Sequence, residues 1–523
     1  MSKQNNNGER VKSLEQWIWD AACSIRGAAD AAKYKDYILP LIFVKRLCDV
    51  FDDEINRIAE KVKSRTKALQ LVEKDKSLVR FYLPLKPKDM ETETTWDVIR
   101  TLSDKIGQHL TDHLRSIAKA NTSLQGIIDR IDFNATTHGQ RDIDDDRLSK
   151  LIEKVTEKRL GLKDVEPDII GRSYEYLIRK FAEGSGQSAG EFYTPAEVGM
   201  IMAKIMNPEP GMEIYDPTCG SGGLLIKCEL ALEEKMRLKS KDKYAPLKLY
   251  GQEFIPATWA MSKMNMVIHD MEGEIEIGDT LRNPQFKSNG KLRTFDRVVA
   301  NPMWNQGRDS LPYIDDDFFI DDEMARFPAG SCGGKIDWGW VQHIYSSLND
   351  KGHAAIVLDT GAASRGSGNQ GNNKEKDCRR WIIDNDLIEG VIYLPENLFY
   401  NTSAPGIIIF INKSKQHKDK IFLLHAGKEF EKGDPKNYIP NAGIDRIVGC
   451  YKAFLEEEKF ARLVGKDEII KNDYNISPSR YIQVTDAETY RPLTEIVEEL
   501  YMLETEATVI DAELKTIFEK LGI

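Results

Sequence analysis

Apolar residues recur at helical spacing through the first third of the chain, condense into short unbroken runs, then return to helical spacing at the end. Leu14, Trp17, Ile18 and Ala21 share one helical face, as do Leu41, Val44, Leu47 and Cys48. Residues 13–159 are therefore expected to be helical, with Pro40 at a helix start or kink and a charged turn at 141–147. Trp17 and Trp19 are expected in the core of this region. From about 166 to 427 the period changes. Candidate strands fall at 213–216, 247–253, 275–279, 297–301, 354–359, 388–394, 406–412 and 421–425. Several are continuously apolar, as strands covered on both faces are. Helical segments at 224–238 and 257–270 join the first few. That order predicts right-handed βαβ units and a doubly wound, Rossmann-like α/β sheet. Near the end, Leu493, Ile496, Val497, Leu500, Leu503 and Ile510 form an apolar stripe among glutamates. It marks a helical tail that packs either on a partner or on its own domain. The expected division is an N-terminal helical domain at 1–165, an α/β domain at 166–484 and a helical C-terminal tail at 485–523.

Two segments interrupt the α/β pattern. Residues 306–335 are rich in Asp, Gly and Pro, and 361–376 in Gly, Asn and Ser. Each follows the carboxyl end of a predicted strand, the edge where such sheets bind ligands, so each is either a functional loop or a plain surface insertion.

A chain of 523 residues is long enough for two or three domains, and 41% hydrophobic with 30% charged residues is ordinary for a globular protein. The net charge of -11 argues against gripping nucleic acid alone through a broad basic face; a partner would supply much of the grip. The seven cysteines form no Cys-x-x-Cys pair and have no His cluster beside them, so neither a metal site nor a disulfide framework is expected. The polar N-terminus shows no signal peptide, and runs such as 37–44 are too short to span a bilayer. A cytoplasmic location is expected.

Chemistry concentrates at two turns. The first, Asp216-Pro217-Thr218-Cys219-Gly220-Ser221-Gly222-Gly223, follows the apolar run 212–215. Its glycines let a backbone approach a ligand, and the helix N-terminus beyond favours a carboxylate. The spacing does not match the Gly-x-Gly-x-x-Gly of a dinucleotide site. Glu253, at the end of the next strand, can accept hydrogen bonds from two ribose hydroxyls, and Asp279, at the end of the third, can bind an adenine amino group. Acidic groups at three successive strand ends suit S-adenosyl-L-methionine, which is cationic and carries no phosphate. The second turn, Asn301-Pro302-Met303-Trp304, follows the run 297–300. An Asn side-chain oxygen and the Pro302 carbonyl can each accept one hydrogen of an adenine N6 group. That pushes the nitrogen toward tetrahedral geometry and frees its lone pair for in-line attack. Trp304 offers a stacking face for a base taken out of the duplex; the bland reading puts it in the core instead.

The order of Glu191-Phe192-Tyr193-Thr194-Pro195, the 216–223 loop and the 301–304 turn resembles that of the gamma-type amino-group adenine methyltransferases. The segments 34–41 and 474–481 resemble the modification (M) subunit of type I restriction–modification systems. The resemblance spans roughly 10–485 and implies N6-adenine methylation of double-stranded DNA with a flipped base. It also implies a working form of two M subunits with one specificity (S) subunit, to which a restriction (R) subunit adds. The cofactor residues it implies are Glu191, Phe192, Tyr193, Thr194, Pro195, Asp216, Thr218, Gly220, Ser221, Gly222, Gly223, Glu253, Asp279 and Leu281. Asn301, Pro302 and Trp304 become the catalytic set, and 398–402 resembles a segment near the flipped base. One departure is plain: Met303 stands where the family has a second proline, which loosens the turn. The alternatives are a stand-alone methyltransferase acting on RNA or protein glutamine, or a catalytically silent scaffold.

Overall fold

The computed structural model describes residues 14–25, 35–137, 140–165, 168–169, 171, 173, 176–177, 194–241, 243–369, 371–399, 402–433, 436–483, 497, 499–508, 510, 514 and 518. By contacts the chain divides into two compact units, Met1–Ile482 and Gln483–Ile523.

The larger unit is built on a nine-stranded sheet. In chain order its strands are β1 (Glu213–Asp216), β2 (Lys248–Glu253), β3 (Gly273–Ile277), β4 (Phe295–Ala300), β5 (Leu348–Asp359), β6 (Ile388–Tyr393), β7 (Gly406–Asn412), β8 (Lys420–His425) and β9 (Ala461–Gly465). Across the sheet they run β9-β8-β6-β7-β5-β4-β1-β2-β3. The first five are mutually parallel where they pair, with Asp216 opposite Gly251 and Glu253 opposite Ile277. The chain adds β2 and β3 on one side of β1, then returns to lay β4 on the other. The crevice outside the carboxyl ends of β1 and β4 is thus a switch point, where doubly wound sheets bind ligands.

All eight expected strands are present, with ends shifted by a few residues. The edge strand β9 was not anticipated, because Ala461–Gly465 is short and only partly apolar. The strand β7 runs antiparallel to both neighbours, β5 and β6. A parallel neighbour would need a crossover, and the connection from β6 carries no helix among its described residues. Every residue of β7 is buried, as its continuous apolar run requires.

The N-terminal region is helical at Leu14–Ser24, Lys35–Val62, Arg65–Lys74, Ile106–Ala120 and Asp145–Thr156. Pro40 lies inside the long helix, in its second turn, rather than at a start. Trp17 is buried, with its indole N–H donated to the Lys154 carbonyl at 2.8 Å, and Trp19 packs partly buried against the same core. Two expectations need correction. The charged stretch at 141–147 includes a helix start, since Asp144 caps the helix by accepting from the Arg147 N–H at 2.9 Å. Residues 79–87 are not helical: Val79, Phe81, Leu83 and Leu85 alternate into the core with a period of two.

That core does not stop at 165. Met261, Met264 and Ile268 of the helix Pro256–Ile268 belong to it, and Arg80 donates to the Ile268 carbonyl at 2.7 Å. The helical and α/β regions are therefore welded through shared apolar packing. In the second unit, residues 499–508 are helical with Leu500 and Leu503 exposed; Leu493 and Ile496 lie outside the described residues. No helix among the described residues is long and apolar enough to cross a membrane.

Candidate active site

The glycine turn begins where β1 ends. Gly220 and Gly222 both take positive φ, +54° and +81°, which L side chains rarely adopt. The turn is fastened to β2: the Cys219 N–H donates to the Gln252 carbonyl at 3.1 Å, and the Gly220 N–H to Glu253 Oε2 at 2.9 Å. The two glycines then differ. A Cβ on Gly220 would project into open space, whereas one on Gly222 would sit 3.1 Å from Met266 Cε. Gly220 is the position where backbone meets the cavity. Gly222 faces the helix Pro256–Ile268 and does not line the cavity, contrary to the sequence expectation.

A cavity of about 620 Å³ opens on this turn. Thr194, Asp216, Thr218, Gly220, Ser221, Gly223, Glu253, Asp279, Leu281 and Asn301 all line it. Pro195 does not; it precedes the helix Ala196–Met206 and accepts from the Gly199 N–H at 3.0 Å. Glu191, Phe192 and Tyr193 lie outside the described residues.

The wall is acidic. Among the described residues, four carboxylates line it (Asp168, Asp216, Glu253 and Asp279) against one guanidinium, that of Arg282. Burial pushes the Asp216 carboxyl up to about 8; the Glu253 charge adds to this and the Thr218 N–H opposes it. Burial also raises Glu253, against the pull of the Ile255 and Gly220 N–H groups. Both groups are poised to gain from a cationic ligand. Asp279 lies two residues beyond the end of β3, not within it. Its carboxylate accepts from the Leu281 N–H at 3.0 Å and from the Tyr313 hydroxyl.

Asn301 follows β4 and has both ends of its amide engaged. Its Nδ2 donates to Thr194 Oγ1 at 3.0 Å, and its Oδ1 accepts from the Trp304 indole N–H at 3.0 Å. An amide oxygen has two lone pairs, so one remains for a ligand. Trp304 is only 8% exposed and packs edge-on against Phe399, with ring centroids 4.6 Å apart. Of the two readings left open for Trp304, the core reading holds: the ring does not line the cavity and packs in the core, held by its N–H and by Phe399. Met303 is the member of the turn that faces outward, 38% exposed and lining the cavity. Pro302 is buried.

Several site residues were not singled out from sequence. Asp168, buried, accepts from Ser221 Oγ at 2.5 Å, from Asn265 Nδ2 at 2.8 Å and from the Gly171 N–H at 3.1 Å. Phe254 stands 68% exposed on the rim beside Glu253. An exposed phenylalanine directly after a strand-end acid was a visible signal; Asp168 offered none. Gln306, Ser310, Leu311 and Tyr313 bring the first insertion into the wall, and its Phe318, Phe319 and Phe327 pack together behind it. That segment is part of the site rather than a plain surface insertion.

Residues 165–489 match the family described as N-6 DNA Methylase, and residues 14–155 match the HsdM N-terminal domain. The MjaVII type I restriction enzyme methylase subunit of Methanocaldococcus jannaschii is 31% identical, over 91% of this chain and 79% of its own length. The MjaIX methylase subunit of the same organism is 29% identical over 98% and 92%. The crystal structure of a type I restriction-modification system methyltransferase subunit from Streptococcus thermophilus superposes with a TM-score of 0.66 at 26% identity, over 90% of this chain and 99% of that one. The chain belongs to the N-6 DNA methylase family, as a methylase subunit of a type I restriction enzyme. It is thus an adenine-specific DNA methyltransferase, and the family implies S-adenosylmethionine as the methyl donor.

Proposed function

We propose that the cavity holds S-adenosylmethionine against the glycine turn and presents a flipped adenine of double-stranded DNA to it at Asn301. The observation that carries this reading is the juxtaposition of Asn301 with the 216–223 turn on one cavity, at the adjacent ends of β4 and β1. The donor set fits the group. Among the described residues the wall is mainly acidic, with Arg282 the one basic side chain against four carboxylates, and it has a backbone approach at Gly220. When bound, the cofactor supplies an electrophilic methyl group on a positively charged sulfur. Glu253 accepts from its ribose hydroxyls, Asp279 with Leu281 holds its adenine, and Asp216 with Ser221 and Gly223 surrounds its methionine end. By resemblance, Glu191, Phe192, Tyr193, Thr194 and Pro195 lie against the cofactor's methionine and adenine ends, Pro195 as the residue that opens the following helix rather than as cavity lining, while Gly222 serves by its backbone conformation. Asn301 Oδ1 and the Pro302 carbonyl each accept one N6 hydrogen of the target base. Trp304, backed by Phe399 in the core, fixes the Asn301 amide from behind, and Met303 is the side chain of the turn that faces the base.

The working form is two copies of this chain with one specificity subunit, joined in the full enzyme by a restriction subunit. The net charge of -11 supports delegating DNA recognition to that partner. The complex works in the cytoplasm, where its DNA substrate lies. Family membership favours this over an RNA or glutamine methyltransferase.

The test is cofactor binding by calorimetry, followed by methyl transfer to DNA with and without the specificity subunit. Transfer that depends on the specificity subunit is expected. Cofactor binding without any transfer to DNA would mean a silent scaffold, and transfer to RNA or protein alone would overturn the reading.

A further inference from the structure

Asn305 follows the catalytic turn directly and takes a left-handed φ of +55°. Three of its polar groups are bound. Its backbone N–H donates to Asp337 Oδ1 at 2.9 Å, its carbonyl accepts from Lys335 Nζ at 2.9 Å, and its Oδ1 accepts from Arg365 Nη1 at 2.8 Å. The strapping continues one residue on, where the Ile336 N–H donates to the Gln306 carbonyl at 3.1 Å. The exit of the turn is thus stapled to the start of the helix Asp337–Ser346.

Arg365 organises the staple from the second insertion. Its guanidinium binds the fully buried Asp337 carboxylate, reaches Glu375 Oε2 at 2.6 Å and lies 3.6 Å from Asp359. Asp337 therefore accepts from Asn305 and Arg365 together. A planar fork spread over several fixed acceptors is what arginine provides and lysine does not. None of Asn305, Lys335, Asp337 or Arg365 lines the cavity, so the network cannot serve by touching a ligand there.

The turn it borders carries Met303, outward-facing, so its third position has no ring to lock the backbone. We infer that the Arg365–Asp337 clamp on Asn305 is a positioning device for the catalytic turn, supplying through hydrogen bonds the rigidity that a proline at 303 would give. The inference rests on the reading of Asn301 and Pro302 as the N6 acceptors. Misplacing such acceptors slows the methyl-transfer step while leaving the cofactor wall intact.

Two variants of the full chain, each assembled with its specificity subunit, test this. Asn305→Gly allows the left-handed backbone and removes the side-chain acceptor, but it also frees the backbone there, so Arg365→Lys, which leaves Asn305 in place, isolates the loss of the clamp. Arg365→Lys keeps a charge and removes the fork. Each is expected to lower the single-turnover rate at saturating DNA by about tenfold or more. Cofactor affinity by calorimetry should stay within about twofold, as for an interaction realised only in the transition state. Adding Met303→Pro to Asn305→Gly should recover part of the lost rate. An unchanged rate in Asn305→Gly would overturn the inference, as would cofactor affinity falling in step with rate, or no recovery in the double variant. A wild-type complex that binds cofactor yet methylates no DNA would overturn the functional reading and this inference with it.

Discussion

The Trp304 indole N–H donates to Asn301 Oδ1 over 3.0 Å, so the side chain expected to stack on the base instead orients the side chain expected to bind it. With Thr194 at the other end, the Asn301 amide has one orientation that satisfies both partners. Trp304→Ala should therefore destabilise the fold by about 3–5 kcal/mol, the range for emptying a buried aromatic site. A solvent-facing stacking platform would leave stability unchanged and weaken only DNA capture. Thermal unfolding of the variant separates the two.

The two glycines with positive φ should separate in function. Gly220→Ala places a methyl in the cavity and should weaken cofactor binding beyond any change in melting temperature. Gly222→Ala meets Met266 and should act mainly on stability, with a left-handed backbone cost of about 1–2 kcal/mol. Calorimetry and melting curves on both variants check this. Equal loss of cofactor affinity at both positions would contradict it.

Asp216 should make cofactor binding pH-dependent. With its pKa pushed up to about 8, the free protein holds a proton on Asp216 at neutral pH. A cationic ligand favours the ionised form and lowers that pKa. Binding near pH 7 should therefore release a proton, and affinity should rise with pH and level off above about 8. Calorimetry in buffers of different ionisation enthalpy measures the release, and Asp216→Asn should abolish it. Proton uptake, or none, would remove Asp216 from the account.

Asp168→Asn tests the bracket behind the glycine turn. The carboxylate serves Ser221 through one oxygen and Asn265 and Gly171 through the other. An amide has one acceptor oxygen, so one buried donor loses its partner, at about 1–3 kcal/mol. The variant should melt lower and bind cofactor more weakly. Unchanged melting and unchanged affinity would show that the bracket does not shape the turn.

The strands bearing the site were legible because β1 and β4 carry short apolar runs ended by punctuation: glycines after Asp216 and a proline after Asn301. The row of carboxylates was legible because a parallel sheet puts successive strand ends on one edge. What was not legible depends on distant partners. Asp168 acquires meaning only when Ser221 and Asn265 fold onto it, and Arg365 only when Asp337 and Asn305 arrive. The inward turn of Trp304 depends on Phe399, almost a hundred residues on, and a local pattern carries no record of such packing. The direction of β7 was missed for a related reason, since an apolar run alone does not encode which way a strand runs.

In the proposed reading, Asn301 holds the adenine amino group in the transition state. The direct measurement is single-turnover transfer of a labelled methyl group from S-adenosylmethionine to cognate DNA by the complex assembled with its specificity subunit, for wild type and Asn301→Ala. Loss of one positioned acceptor should lower the rate by about a hundredfold or more, with cofactor affinity nearly unchanged. A near-normal rate for Asn301→Ala would show that the 301–304 turn is structural and that the chemistry lies elsewhere.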